Sequence, residues 1–220
     1  MEALATSETN PPTHELVYRR LREMILFGEL EPGQAVTIQG IAARLDAGIT
    51  PVREAIRRLI AEHALVFQDN RRVSVPVLTP AQLDELTFAR LSLEPQLAIW
   101  SAQKINAAGI DELYSIDQSL NRAIDRGDVY AYLKNNHAFH TGLYAVSGAE
   151  IVLPLVDTLL LRLGPSLRVV CGRFGTSNLP DLHEETLAAL HSGDHEAVGA
   201  AIRADISQGL DQIRLSLDPS

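Results

Sequence analysis

The sequence has little of several features that would indicate other classes of protein. It has a single cysteine, Cys171, among 220 residues, so no intramolecular disulfide is possible and we expect a reducing compartment. Aromatic residues make up only 5% of the chain, so aliphatic side chains must fill the core. No apolar run is long enough to cross a bilayer, and the first residues lack the basic-then-apolar pattern of a signal peptide. We therefore expect a cytoplasmic protein that does not bind membranes.

The charge of the chain is unevenly distributed. The net charge is −9, which is unfavourable for nucleic-acid binding, but the segment from Ile38 to Val77 has six arginines against four acidic residues. Phosphate binding requires local positive charge rather than a basic whole protein. A solvated amphipathic surface would have the same charge pattern, so charge alone does not decide between the two interpretations.

The segment from Ile38 to Pro76 has the pattern of a winged helix-turn-helix. A short helix capped by Thr37 is followed by a turn and a second helix, for which we expect Thr50 as the cap and Pro51 as the first residue. Two short alternating runs on either side of residues 69–72 predict a two-stranded ribbon. This module places one helix in a DNA major groove, so the pattern favours DNA binding.

The rest of the chain contains no strand pattern, so the fold class is mainly α. We expect Thr79 to cap the first helix of this region and Pro95 to kink or split it. Helical patterns cover about 80–107, 109–126, 128–147, 149–171, 179–192 and 194–216. The expected domains are a flexible tail at 1–12, a winged helix-turn-helix with a small β-ribbon at 13–77, and an antiparallel all-α bundle at 80–216.

The motif from Pro51 to Leu59, Pro-Val-Arg-Glu-Ala-Ile-Arg-Arg-Leu, follows an upstream Glu31-Pro-Gly turn. Together they resemble the GntR family of bacterial transcription regulators. The helical remainder resembles the FCD effector-binding domain of the FadR subfamily. The resemblance implies a homodimer that binds a palindromic double-stranded DNA operator, most often as a repressor. It also implies that a small carboxylate effector, bound in the helical domain, controls operator affinity.

The resemblance assigns DNA contacts to the two helices and to the tip of the wing. Arginine on such a helix can bind guanine in a bidentate manner. Ile49 stands where the family usually has a DNA-contacting arginine, and for Arg57 a solvated helix face is an equal alternative. The expected DNA-binding residues are Gln39, Thr50, Pro51, Arg53, Arg57, Asn70 and Arg71.

FCD domains commonly hold a divalent metal through one aspartate and three histidines. The matching positions here are Asn136, His140, His183 and Asp205, so the residue type differs from the family at the first and last positions. Two imidazoles with oxygen donors suit zinc, nickel, manganese or iron. The alternative is a buried hydrogen-bonded network without metal. The other helical histidines, His137, His191 and His195, are expected at the surface.

The resemblance also implies an arginine that binds the carboxylate of the effector. Arg90, with Glu94 one turn later, lies at this position, and Arg162 is a second candidate. A guanidinium is suited to bidentate carboxylate binding. The alternative is an Arg90–Glu94 ion pair within the helix.

Two other functions remain open from the sequence. One is a metal-dependent enzyme with an appended DNA-binding domain, and the other is a DNA-binding protein without an effector. The chain has no recognisable nucleophile motif, distinct general base or glycine-rich phosphate loop, so we expect no catalytic residues and no enzyme activity.

Overall fold

The computed structural model describes residues 13–68, 72–174 and 182–217. Within these ranges the chain is mainly α-helical and has one small antiparallel sheet, which confirms the expected fold class. The expected tail at residues 1–12 and the wing-tip residues Asp69, Asn70 and Arg71 lie outside the described residues. Across the described ranges, every helix is too short or too polar to span a lipid bilayer.

The described N-terminal region combines helices with very short strands. The first helix buries Leu21, Met24 and Ile25 on one face, at the spacing of a helix with a single apolar stripe. The elements are α1 (Thr13–Leu26), β1 (Ala35–Val36), α2 (Ile38–Leu45), α3 (Ile49–Ala61), β2 (Val66–Phe67) and β3 (Val73–Ser74).

The sheet has three strands in the order β1-β3-β2, whereas the sequence predicted only two. Ser74 of β3 lies opposite Ala35 on one side and Val66 on the other. Strand β1 was missed because two residues between a turn and a helix cap are too few to show an alternating pattern. Its pairing extends into the turn, where the amide of Gly33 donates to the carbonyl of Val75.

The beginnings of α2 and α3 differ in how they are capped. The Thr37 hydroxyl accepts a hydrogen bond from the amide of Gly40 at 3.0 Å, so its predicted capping role is confirmed. The prediction for Thr50 was wrong, because α3 begins at Ile49 after Gly48, which makes no side-chain capping bond. Pro51 is therefore the third residue of α3 rather than the first. It is tolerated there because the first amides of a helix have no intrahelical partner.

The C-terminal region is an all-α bundle within the described residues. Thr79 and Gln82 form a reciprocal capping box at its start, as the predicted cap requires. The helices are α4 (Pro80–Ala102), α5 (Ala107–Arg126), α6 (Val129–Ala145), α7 (Val152–Phe174), α8 (His183–Ser192) and α9 (His195–Leu217).

The sequence predicted that Pro95 would kink or split α4, and the helix is not split, because it runs through Pro95 as a single element. The turns on either side are held by burial, since Glu94 and Leu97 are both fully buried. Gly199 of α9 also packs closely against Pro95, because a Cβ added to Gly199 would lie 3.3 Å from the carbonyl oxygen of Pro95. Tertiary packing on this helix therefore outweighs the loss of one backbone hydrogen bond.

The two regions are in direct contact where the end of α1 meets the middle of α7. Arg22 of α1 lies 2.6 Å from the carboxylate of Asp157 on α7. Phe27, just after α1, packs edge-on against Tyr130 and His137 of α6. This junction places the end of α1 beside the interior of the bundle.

Candidate functional site

The exposed face of α3 has three arginines with different surroundings. Arg57 pairs with Glu54 on the same helix at 2.9 Å. Arg58 pairs with two glutamates, and its guanidinium lies 3.5 Å from the centre of the Tyr18 ring. Arg53 is exposed and has no hydrogen bond or ion pair to the described residues. Among the three, Arg53 is thus the one whose guanidinium is free to bind a partner.

Two other predicted DNA-contacting residues, Gln39 and Thr50, belong to the helices of the same helix-turn-helix. Gln39 on α2 and Thr50 in the first turn of α3 are both exposed. Ile49, at the position where an arginine was expected, is 44% exposed and adds an apolar contact surface beside Thr50. The amino end of α3 therefore combines free backbone amides with small, polar and cationic side chains, as anion-binding helix ends do.

A cavity of about 80 Å³ lies inside the bundle. Side chains of α4, α6, α7 and α9 form its walls, together with two residues at the end of α1. Since one water molecule needs about 10–15 Å³ of such a space, the cavity has room for several waters or a small ligand. Its polar lining residues are Arg90, Tyr132, Asn136, His137, His140, Asp205 and Gln208.

Three of the four predicted metal ligands converge beside this cavity. The ligand atoms of His140 on α6, His183 at the start of α8 and Asp205 on α9 all lie within 4.8 Å of one another. Both histidines are buried, and His140 Nε2 lies 3.1 Å from Asp205 Oδ2. Asn136 lies one turn before His140 and lines the same cavity.

Burial is the largest single influence on the pKa of Asp205, and by itself it would raise this pKa. The neighbouring side chains of His140, His183 and Arg90 outweigh this effect and lower the pKa of Asp205 overall. Asp205 is therefore a carboxylate at neutral pH, the form that can bind a metal ion.

A further acidic residue at this site was missed from the sequence. Asp117 of α5 is buried, and its Oδ1 lies 3.4 Å from His183 Nδ1. A carboxylate behind a histidine fixes the orientation of its ring. The sequence signal was available, because Asp117 lies between the buried Leu113 and Leu120 on the apolar face of α5.

A chain of buried polar contacts connects Arg90 to His140. Arg90 donates two hydrogen bonds to Glu94, of which Nη2 to Oε2 is 3.0 Å. The Tyr144 hydroxyl donates to Glu94 Oε2 at 2.9 Å, and it lies 3.1 Å from His140 Nδ1. Burial and the charge of Glu94 raise the pKa of Tyr144 well above its ordinary value, so this hydroxyl keeps its proton.

This series of hydrogen bonds determines which nitrogen of His140 carries a proton. The single hydroxyl proton of Tyr144 is directed to Glu94, so the Tyr144 oxygen must accept a hydrogen bond from His140 Nδ1–H. In a neutral imidazole, Nε2 is then unprotonated and faces the Asp205 carboxylate. Two acceptors at this distance require a cation between them or on the ring, either a proton or a metal ion.

The structure distinguishes among the three residues predicted to bind the effector. Arg90 lines the cavity while also forming the Glu94 pair given as the alternative. Glu94, the second predicted residue, is fully buried against Arg90 and Tyr144 and does not line this cavity. Arg162, the third predicted residue, does not line this cavity either. It lies in a separate crevice with His63, on a different side of α7 from the cavity-lining Leu160 and Leu163.

His137 is not a surface residue as predicted, because it is half-buried and lines the cavity. Burial is the main cause that lowers its pKa to about 4, with a contribution from the charge of Arg22. His137 is therefore neutral at physiological pH and serves as a flat aromatic surface, against which Phe27 packs at a ring distance of 5.7 Å. His191 is exposed, as predicted, and His195 is half-exposed.

The architecture is that of a two-domain transcription regulator. A winged helix-turn-helix, with Arg53 exposed and without a partner among the described residues, is joined to a helical bundle with a polar cavity. Comparison with known families agrees with this class. Residues 13–75 match the gntR family of bacterial regulatory proteins, and residues 85–208 match the FCD domain. The chain belongs to the GntR family and has an FCD domain as its C-terminal part, which confirms the resemblance inferred from the sequence.

Curated relatives are similar over most of the chain. The HTH-type transcriptional regulator McbR of Escherichia coli is 28% identical over 179 residues, which cover 80% of this chain and 81% of McbR. The HTH-type transcriptional repressor RspR of Escherichia coli is 24% identical, with 94% of each chain covered. Both relatives are named as transcription regulators rather than enzymes.

Among solved structures, Escherichia coli McbR/YncC superposes with a TM-score of 0.89 at 24% identity, over 95% of this chain and all of that chain. A GntR-type regulator from Rhodococcus sp. RHA1 has a TM-score of 0.76 at 21% identity, over 94% of this chain and 99% of that chain. At these identities the likeness supports the fold.

Proposed function

We propose that this regulator is a homodimeric repressor whose affinity for a palindromic operator is controlled by a small carboxylate bound in the bundle cavity. A divalent metal ion held by His140, His183 and Asp205 would form part of that binding site. The observation that carries the proposal is the convergence of these three ligand atoms within 4.8 Å, beside a cavity also lined by Arg90.

The donor set fits a divalent metal. Two imidazoles and one carboxylate suit zinc, nickel, manganese or iron, and the amide oxygen of Asn136 is the proposed fourth donor. Tyr144 and Glu94 support this role because they hold the His140 proton on Nδ1, which leaves Nε2 for the ion. When bound, the metal supplies positive charge that attracts a carboxylate ligand.

Arg90 is proposed as the second group that binds the effector carboxylate. A guanidinium has five N–H donors, and Glu94 accepts hydrogen bonds only from Nε and Nη2 of Arg90. The remaining donors belong to a side chain that lines the cavity. Apolar walls around a few convergent polar groups are typical of small-molecule sites.

The DNA-contacting role is proposed for the exposed residues at the amino end of α3 and on α2. Arg53 has no partner among the described residues, so its guanidinium can bind a guanine edge without breaking an existing contact. Gln39 and Thr50 lie at the same surface, whereas Pro51 shapes the helix and Arg57 is shared with Glu54. Repression is proposed because RspR and GlaR, two of the similar proteins, are named as repressors.

The proposal is tested by selecting bound fragments from a genomic DNA library and measuring their affinity by fluorescence anisotropy. We expect a palindromic site whose affinity for the protein changes at least about fivefold when a carboxylate that binds the protein is added. A fivefold change is the lower end of ordinary allosteric coupling. Absence of any sequence preference would overturn the DNA-contacting role. A specific site whose affinity no carboxylate changes would instead identify an effector-independent DNA-binding protein.

The metal site is tested by elemental analysis and calorimetric titration with Zn²⁺ and Mn²⁺. We expect one ion per chain in the wild type and none in the His140→Ala/His183→Ala double variant. His191→Ala, which changes an exposed histidine, is the matched control and should retain the ion. A wild-type protein that binds neither ion would mean that a proton, not a metal, occupies the position between His140 and Asp205.

A further inference from the structure

The cavity of the bundle has one wall that belongs to the DNA-binding region. Leu26 is the last residue of α1 and Phe27 follows it, and both line the cavity. The rest of α1 is part of the winged-helix core, where Tyr18 donates a hydrogen bond to Glu62 after α3. A molecule in the cavity therefore touches the helix that supports the DNA-contacting face.

This wall fits so closely that neither side has room to shift independently. A Cβ added to Gly164 of α7 would lie 2.1 Å from the carbonyl oxygen of Leu26, which is a backbone atom and cannot rotate away. A Cβ added to Gly28 would lie 2.3 Å from the Cβ of Arg168, and Gly28 adopts a φ of +66°. Closely packed contacts respond to a change in volume by moving as a unit.

The polar and apolar ends of the cavity are separated along α6. His140 lies at the metal group, and His137, one turn earlier, packs against the Phe27 ring. Leu160 and Leu163 extend the apolar wall next to Gly164. A ligand with its charged head near Arg90 and His140 would therefore direct an apolar tail towards Leu26 and Phe27.

We propose that the effector is a small carboxylate with a short aliphatic tail, and that the tail contacts Leu26 and Phe27 directly. The DNA-binding region then senses the ligand through the end of α1. This inference rests on the proposed function and adds the chemical class of the ligand and the residues that sense it. A ligand shifts an equilibrium only through different contacts in the two states, and contacts between the tail and the end of α1 would differ between states in which that end is displaced.

The test uses the full-length, Zn²⁺-loaded protein with acetate, propionate and butyrate as probes. In the wild type we expect carboxylate affinity to rise roughly fourfold per added methylene, and the change in operator affinity to grow in parallel. In Phe27→Ala, the acid should still bind, but the dependence on tail length and the operator response should both be lost.

A second pair of variants tests the junction by adding a single methyl group to α7, at a position that also lines the cavity. In Gly164→Ala, the added methyl must displace the Leu26 backbone, so we expect carboxylate binding with no operator response. Gly172→Ala on the same helix is the matched control, because its added Cβ would meet only the end of the Arg168 side chain, at 3.7 Å. Circular dichroism and Zn²⁺ content would verify that each variant is folded.

The outcomes separate the two proposals. If no carboxylate in the series binds the wild type, both the effector assignment and this inference are rejected. If the acids bind and change operator affinity equally in the wild type, Phe27→Ala and Gly164→Ala, the proposed function stands and the sensing role of α1 is wrong.

Discussion

Helices α3 and α4 use arginine in opposite ways. Arg53 of α3 is exposed and has no partner among the described residues, whereas Arg90 of α4 is 7% exposed and hydrogen-bonded to a fully buried Glu94. A guanidinium is never neutral at physiological pH, so a buried arginine requires a counter-charge, and an exposed one does not. An exposed arginine without a partner, such as Arg53, can therefore be changed with little effect on the fold, and the buried one cannot.

The largest expected effect comes from removing the counter-charge of the buried arginine. Glu94→Ala leaves the Arg90 guanidinium without its partner inside the bundle, which should lower the free energy of unfolding by about 3–5 kcal/mol. Denaturation with urea measures this change. Glu54→Ala, which removes the exposed partner of Arg57, is the matched control and should change the free energy by less than about 0.5 kcal/mol. Equal effects of the two substitutions would contradict the contrast.

Arg53→Ala should affect DNA binding without affecting the fold. Loss of a bidentate base contact should reduce operator affinity by about 1–3 kcal/mol, roughly 5- to 150-fold. The free energy of unfolding should change by less than about 0.5 kcal/mol, because no contact within the described chain is lost. Unchanged operator affinity in anisotropy titrations would remove Arg53 from the DNA-contacting surface.

Arg58 lies between the two extremes and sharpens the comparison. Arg58→Ala removes a contact with the Tyr18 ring and ion pairs with Glu15 and Glu62, so it should lower the free energy of unfolding by about 1 kcal/mol. Its effect on operator affinity should be smaller than that of Arg53→Ala. Arg57→Ala, with a single exposed pair, provides the reference for a solvated arginine. An Arg58 variant as stable as that reference would show that the Tyr18 contact adds nothing.

Features that depend on a few neighbouring residues were predicted well from the sequence. Thr37 and Thr79 were recognised as caps because the chemistry of a helix start is contained within four residues. Most helices were recognised from their apolar stripes, although their ends shifted by several residues. The Thr50 error has the same local origin, since a glycine with extended backbone replaced the expected side-chain cap.

Features that depend on packing between distant segments were not predictable in the same way. The side of α7 that faces the cavity does not include Arg162, and the packing of Phe27 from the end of α1 partly buries His137. The pairing of Asp117 with His183 likewise joins α5 to α8. The metal-ligating positions were carried over from the family resemblance rather than from spacing, and three of the four converge as that resemblance implies.

The missing side chain at Gly164 has a consequence for protein engineering. A chimaeric regulator joins the DNA-binding domain of one protein to the effector-binding domain of another, which treats the two domains as independent. Here the carbonyl of Leu26 occupies the space that any larger residue at Gly164 would fill. A DNA-binding domain from another protein would need the same turn after its first helix to fit against Gly164. The matching segment of α7 should therefore be transferred together with that domain.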